Sequence, residues 1–208
     1  AVQNCGLPEG AFSLLFGGGR TIGQALVKNP IIRAVGFTGS RSGGRALFDL
    51  ASQRRDPIPV FAEMSSVNPI FLLPELTQDE FDKIAEGLFV SATMGVGQFC
   101  TNPGIVFYQE GGPANNFRNS FVEKMKKFEP ATMLHRGIRN SYVQGIENIV
   151  NCEGVKVLLD SNQNNGEGGC EAMPSVLETS VNHFLNDSNL SQEIFGPESF
   201  FLLAGIYF

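Results

Sequence analysis

Ala34-Val35-Gly36-Phe37-Thr38-Gly39-Ser40-Arg41-Ser42-Gly43-Gly44 decides the fold class. Ala34–Phe37 is short and apolar and reads as a buried strand. Thr38-Gly39-Ser40 then turns the chain into a helix over Ser42–Gln53, with Leu47, Leu50 and Ala51 on one face. Pro57 and Pro59 precede a further strand, Val60–Met64. Upstream, Ala11–Phe16 reads as a strand, and Thr21–Asn29 as a helix ended by Pro30. The order strand-helix-strand-helix-strand is that of an α/β protein, a parallel sheet with flanking helices.

A second region opens near Ser65. Pro69–Leu73 reads as a strand. Thr77-Gln78-Asp79-Glu80 is a capping box, which predicts a helix to about Gly95 with Phe81, Ile84, Ala85, Leu88 and Phe89 at helical spacing. Ile105–Tyr108 is the next predicted strand. Phe117–Phe128 and Ile138–Val150 are predicted helices, and Val155–Asp160 a strand. Ser161–Gly169 is a polar, Gly/Asn-rich loop, and the segments holding Leu177 and Val181 are weakly patterned. The apolar run Phe200–Phe208 closes the chain. The start, in the loop Gly6-Leu7-Pro8-Glu9-Gly10, is equally abrupt, and both ends are expected to be cut.

Composition narrows the function classes. The chain has 208 residues, 42% hydrophobic and 17% charged, enough for a packed core without staples. The net charge of -6 and the absence of a basic patch argue against a nucleic-acid partner. No apolar run is long enough to span a bilayer. The four cysteines, Cys5, Cys100, Cys152 and Cys170, form no Cys-x-x-Cys pair. Their spacing argues against a zinc site or disulfide framework and fits a reducing, cytoplasmic setting; no metal is expected.

Three features carry chemistry. Gly17-x-Gly19-x-x-x-Gly23 falls between a strand and a helix, and Gly39-Ser40 with Gly44 repeats the arrangement. Glycine there lets backbone approach a phosphate, and Ser40 offers a hydroxyl and a helix N-terminal amide to a pyrophosphate. A plain strand-to-helix turn is the alternative. Glu63 ends a strand within an apolar stretch, where an ionisable group is costly unless it has a task. A carboxylate capping a helix or pairing with an arginine is the alternative. Cys100 sits in Gly97-Gln98-Phe99-Cys100-Thr101-Asn102-Pro103-Gly104, a special loop able to present a thiol to free amides, although a cysteine is more often a core residue.

Taken together, these motifs resemble the aldehyde dehydrogenase superfamily. Gly97-Gln98-Phe99-Cys100 is similar to its Gly-Gln-x-Cys signature, and Glu63 stands where the family has its glutamate. Gly6-Leu7-Pro8-x-Gly10, Gly17-x-Gly19-x-x-x-Gly23, Phe37-Thr38-Gly39-Ser40 and Glu193-Ile194-Phe195-Gly196-Pro197 follow in the family's order. The run Met64-Ser65-Ser66-Val67-Asn68-Pro69, with Gln98–Gly104, is similar to the 2,5-dioxopentanoate (α-ketoglutarate semialdehyde) dehydrogenases and related fatty-aldehyde enzymes.

The resemblance implies part of a Rossmann-like NAD(P)-binding domain over 1–62 and a truncated catalytic domain over 63–208. It implies that Cys100 attacks an aldehyde and gives a thiohemiacetal. Hydride loss to NAD or NADP then leaves a thioester, and Glu63 activates the hydrolytic water. The Cys100 amide would supply one oxyanion donor. Gly17, Gly39, Ser40 and Gly44 would line the cofactor phosphates, Glu193 would hold the nicotinamide ribose, and Phe195 would flank the nicotinamide. Arg41, where the family commonly has threonine, would favour a 2′-phosphate. The family's second oxyanion donor, an asparagine, lies upstream of the matched region. The implied partners are a small aldehyde and further copies of the full-length chain in a homo-oligomer. The competing readings are a cysteine hydrolase, for which His135 and His183 are the only bases, and a truncated, non-catalytic nucleotide- or partner-binding piece.

Overall fold

The computed structural model describes residues 3–73, 75–109, 111–160 and 169–204. The chain divides into two compact units, Ala1–Ser65 and Ser66–Phe208. The expected loop Ser161–Gly169 lies outside the described residues except for Gly169, and so does the end of the terminal apolar run, beyond Ala204.

In the first unit, α1 (Gly19–Lys28) leads to β1 (Val35–Thr38), α2 (Arg41–Ser52) and β2 (Val60–Glu63). β1 and β2 pair in parallel, Val35 with Val60 and Thr38 with Glu63. The crossover through α2 follows from parallel pairing, which a tight hairpin cannot supply. Ser40 caps α2 by accepting from the Gly43 amide at 3.2 Å. The Arg54 guanidinium donates to the Val27 and Ile32 carbonyls, both at 3.0 Å, and fixes the end of α1.

One expected strand does not form. Ala11–Phe16 carries no strand, and Leu14, Leu15 and Phe16 are 63%, 57% and 87% exposed. A short apolar run becomes a strand only where a neighbour completes its ladder, and among the described residues this segment has none. The Gly17–Gly19 turn and the helix after it form nonetheless.

The second unit holds a five-stranded sheet in the order β3 (Ile70–Leu72), β4 (Ile105–Gln109), β9 (Glu198–Ala204), β8 (Ser175–Ser180), β6 (Lys156–Leu159). All pairs are parallel except β6–β8, so an antiparallel edge strand joins the expected parallel sheet. α3 (Gln78–Thr93) and α4 (Gly112–Met125) cover one face, where Phe81, Ala85, Leu88, Phe117, Phe121 and Met125 pack on Val106, Tyr108 and Phe201. α5 (Arg136–Val150) covers the other, with Tyr142, Ile146 and Ile149 on Ile105, Leu177, Phe200 and Leu202. Phe200 and Phe201 thus enter opposite cores, as the two-residue period of a strand requires. A small antiparallel pair, β5 (Ala131–Thr132) with β7 (Glu171–Ala172), and a short helix, α6 (Val181–Asn186), complete the unit.

The weakly patterned segment around Leu177 is β8, between β9 and β6. Its signal is blurred because Ser175, Glu178 and Thr179 are buried. Each has a partner. Glu178 accepts from Tyr108 Oη at 2.8 Å and from Arg118 at 2.9 Å, with Lys156 Nζ at 3.6 Å. Thr179 donates to the Gly154 carbonyl, and Ser175 lies 3.3 Å from Tyr142 Oη.

Candidate active site

The capping box at Thr77 and Glu80 starts α3 as expected, with both reciprocal bonds present. The helix stops at Thr93, and Met94–Gly97 turns back through left-handed backbone. Gly95, Val96 and Gly97 take φ values of 56°, 59° and 67°. Gly97 must be glycine for a second reason, since a Cβ would collide with the Gly196 carbonyl and Pro197 nitrogen. Val96 is a β-branched residue at positive φ, a costly conformation that packing must hold. Asn68, at φ 41°, is the other non-glycine with positive φ among the described residues. Both flank the Cys100 loop.

Side chains clamp this loop on three sides. Gln98 Nε2 donates to the Gly95 carbonyl at 2.8 Å, while its Oε1 accepts from the Leu134 amide at 2.9 Å. Asn68 Nδ2 donates to the carbonyls of Cys100 and Asn102 at 2.8 and 2.9 Å. Asn102, itself buried, donates through Nδ2 to the Gly196 carbonyl at 2.9 Å. Gly104 bonds through its amide to the Val67 carbonyl, and its carbonyl accepts from Phe200 at the start of β9. Cys100 is left exposed as a free thiol. Its amide makes no hydrogen bond among the described residues, which leaves it available as an oxyanion donor.

Glu193 joins the same cluster. Its Oε1 accepts from the Ser66 amide at 3.3 Å, and Ser66 Oγ donates to Asn68 Oδ1 at 2.8 Å. A line of bonds therefore runs from Glu193 through Ser66 and Asn68 to Cys100 and Asn102, and on to Gly196. Of the expected site residues, the second unit brings Cys100 and Glu193 onto this framework, and Phe195 lines a cavity with Ser66, Asn102 and Glu193. Phe195 is 37% exposed, and Glu193 keeps Oε2 free of hydrogen bonds among the described residues.

The remaining expected residues belong to the first unit. Gly39 lies in the turn after β1 and donates its amide to the Glu63 carbonyl at 3.1 Å. A Cβ on Gly39 would stand 2.7 Å from the Phe37 ring. Ser40 spends its hydroxyl on capping α2, with Ser42 Oγ 3.2 Å away. Gly44 is buried inside α2, where a Cβ would stand 2.5 Å from Met64 Sδ, so its lack of a side chain seats the helix on β2. Gly17 precedes α1 and faces Ile22. Glu63 ends β2 exposed, and its carboxylate has neither a helix to cap nor an arginine to pair with among the described residues.

Two residues escaped the sequence reading. Asn68 is one. The signal was an asparagine, tolerant of positive φ, directly before Pro69 in the run Met64–Pro69. Glu198, the first residue of β9, is the other. It is 4% exposed and lines a small cavity with Ser66, Asn102, Gly104 and Glu193. Burial pushes its carboxyl well above the usual carboxylate range. An acidic residue directly after Gly196-Pro197 was legible as an oddity only with the strand assigned.

The sequence pattern of the aldehyde dehydrogenase family matches residues 1–199. The chain is 42% identical over 199 residues to alpha-ketoglutaric semialdehyde dehydrogenase 2 of Azospirillum brasilense, covering 96% of the chain and 38% of that protein. It is 38% identical to alpha-ketoglutaric semialdehyde dehydrogenase of Acinetobacter baylyi, covering 96% of the chain and 37% of that protein. The chain thus spans less than two-fifths of the length of these relatives. Among solved structures, methylmalonate-semialdehyde dehydrogenase of Oceanimonas doudoroffii shares the fold with a TM-score of 0.79 at 18% identity, over 99% of this chain and 43% of that one. A NAD-dependent benzaldehyde dehydrogenase of Corynebacterium glutamicum gives 0.78 at 23% identity, over 97% and 42%. With the family pattern matched over nearly its whole length, and the cysteine loop and Glu193–Pro197 motif brought together in its second unit, the chain belongs to the aldehyde dehydrogenase family.

Proposed function

We propose that this chain carries the nucleophile of an NAD(P)-dependent aldehyde dehydrogenase whose substrate is 2,5-dioxopentanoate, oxidised to 2-oxoglutarate. The supporting observation is the Cys100 loop: an exposed thiol with an unused amide, clamped by Gln98, Asn68 and Asn102. The substrate reading rests on the names of the two semialdehyde dehydrogenases to which the chain is 42% and 38% identical.

The thiolate of Cys100 adds to the aldehyde carbon, and the Cys100 amide receives the oxyanion of the thiohemiacetal. A bound nicotinamide dinucleotide supplies the acceptor for the hydride lost from that carbon. The residues suit such a group: Glu193 Oε2 is open to a ribose hydroxyl, Phe195 is partly exposed, and Gly39-Ser40 presents the start of α2 to a phosphate. Glu63 takes a proton from water, which attacks the thioester, releases the carboxylic acid and restores the thiol. Its exposed, unpaired carboxylate suits a base that must meet water.

We assign residues 1–62 to the cofactor-binding domain and 63–208 to the nucleophile-bearing domain, in keeping with compact units that divide after Ser65. Among the described residues no helix is long and apolar enough to cross a membrane. Four free thiols fit a cytoplasmic site, and the family resemblance favours a homo-oligomer.

The deciding experiment supplies 2,5-dioxopentanoate with NAD or NADP to the intact protein and follows reduced cofactor. Turnover lost in Cys100→Ser supports the reading. Cofactor binding without turnover of any aldehyde would sink it in favour of a binding role. The 208 residues alone are expected to turn over slowly or not at all, and a normal rate from them would contradict this.

A further inference from the structure

The Glu193–Pro197 motif is followed by a residue the reaction above does not use. Glu198 sits where β9 begins, 4% exposed, and its side chain has neither a cation nor a hydrogen-bond donor among the described residues. It faces a cavity of about 20 Å³, room for one water molecule. Among the described residues Glu193 is the only other titratable group lining that cavity, and none of them brings a positive charge to hold Glu198 ionised. The floor of the nucleophile loop is close by, since a Cβ on Gly104 would stand 3.7 Å from Glu198 Oε2.

Asn102 lines the same cavity and presents the complementary problem. Its Nδ2 clamps the loop to Gly196, but its Oδ1 is buried without a partner among the described residues. Gly196 also accepts from the Glu198 amide at 2.9 Å, so both residues hang on one carbonyl. Among the described residues, an unpartnered acceptor and an unpartnered carboxyl thus share a cavity with room for one water, and buried polar groups rarely stay unpaired.

We propose that Glu198 is a positioning residue for the Cys100 loop, joined to Asn102 Oδ1 through a single cavity water. The Glu198 hydroxyl donates to the water, the water donates to Asn102 Oδ1, and the Asn102 side chain is fixed in the orientation that clamps the loop. Protonated Glu198 is the form that donates, and burial without a cation favours that form. The role rests on reading Cys100 as the nucleophile, but its test needs neither aldehyde nor nucleotide.

Two measurements on the intact protein test it. Infrared spectroscopy at neutral pH should show the carbonyl stretch of a buried protonated carboxylic acid, absent in Glu198→Gln. Alkylation of Cys100 by iodoacetamide should be within about twofold of wild type in Glu198→Gln, whose amide still donates, and roughly tenfold slower in Glu198→Val, which loses one buried hydrogen bond. Absence of the acid band, Glu198→Gln as slow as Glu198→Val, or Glu198→Val as fast as wild type would each overturn the proposal. The infrared comparison uses only wild type and Glu198→Gln, so it stands even if Glu198→Val fails to fold. Failure of the dehydrogenase reading would instead show as absent aldehyde turnover with both of these results intact.

Discussion

Asn68 Nδ2 donates at once to the carbonyls of Cys100 and Asn102, at 2.8 and 2.9 Å, from a backbone held at φ 41°. One side chain therefore ties the segment before β3 to both ends of the Cys100–Asn102 turn. The positive φ is a cost that these bonds offset. Asn68→Ala removes both bonds and keeps the unfavourable φ, so a loss of about 1–3 kcal/mol is expected by denaturant unfolding. Asn68→Gly relieves the backbone and should be less damaged in stability. Both should slow Cys100 alkylation, because both free the loop; equal alkylation in the two variants and wild type would refute the clamp.

Gly97 faces two constraints together, φ 67° and direct backbone contact with Gly196 and Pro197. Gly97→Ala is expected to cost more than about 3 kcal/mol, beyond the ordinary range for surface changes. A melting temperature unchanged from wild type would contradict the packing described.

Glu178 is a buried carboxylate held by Arg118 and Tyr108. Arg118→Ala leaves it with the Tyr108 hydroxyl and, as its cation among the described residues, the exposed Lys156, and should destabilise by about 3 kcal/mol. Burial, and then the bond to Glu178, pushes the Tyr108 phenol up. A raised folded value means that the native state keeps this proton after the unfolded chain has released it. Stability should therefore fall as pH rises past about 10, the unfolded value, and Tyr108→Phe should remove that part of the fall in alkaline unfolding curves.

The Glu198 carboxyl is also raised, by burial. Below about pH 4.3 it is protonated in both states and adds no pH-dependent cost. Above that pH the unfolded chain ionises first, so stability declines until the folded group ionises too. Glu198→Gln cannot ionise, and its melting temperature should gain on wild type as pH rises from about 4 to neutrality. A constant difference across that range would show that Glu198 ionises normally.

Cys100 and Glu63 should separate in kinetics. In the intact enzyme Cys100→Ser should abolish oxidation, whereas Glu63→Gln should still form the acyl-enzyme, giving a burst of reduced cofactor and then a slow steady state. Loss of the burst in Glu63→Gln would contradict the assignment of Glu63 as the hydrolytic base.

Much of the site was legible because it is local. The capping box of α3, the glycine turns and the Gln98–Cys100 loop each lie within a few consecutive residues. Where a feature depended on distant partners, sequence reading failed in both directions. Ala11–Phe16 has the composition of a strand and no neighbour to pair with. β8 has five partners' worth of long-range contacts across Tyr108, Arg118, Lys156, Gly154 and Tyr142, and its buried polar residues hide the strand.

The sequence by itself pointed to the family and to the start of α3, because these follow from residue type, capping chemistry and fixed spacing. Only the tertiary structure decided that Asn68 holds the Cys100 turn, that Glu193 reaches Ser66 across the fold, and that Glu198 is buried near Gly104 in a cavity shared with Asn102, whose Oδ1 has no partner among the described residues. Those relations join residues 32 to 127 positions apart, or depend on exclusion of water, and neither long-range contact nor desolvation is written in a local pattern.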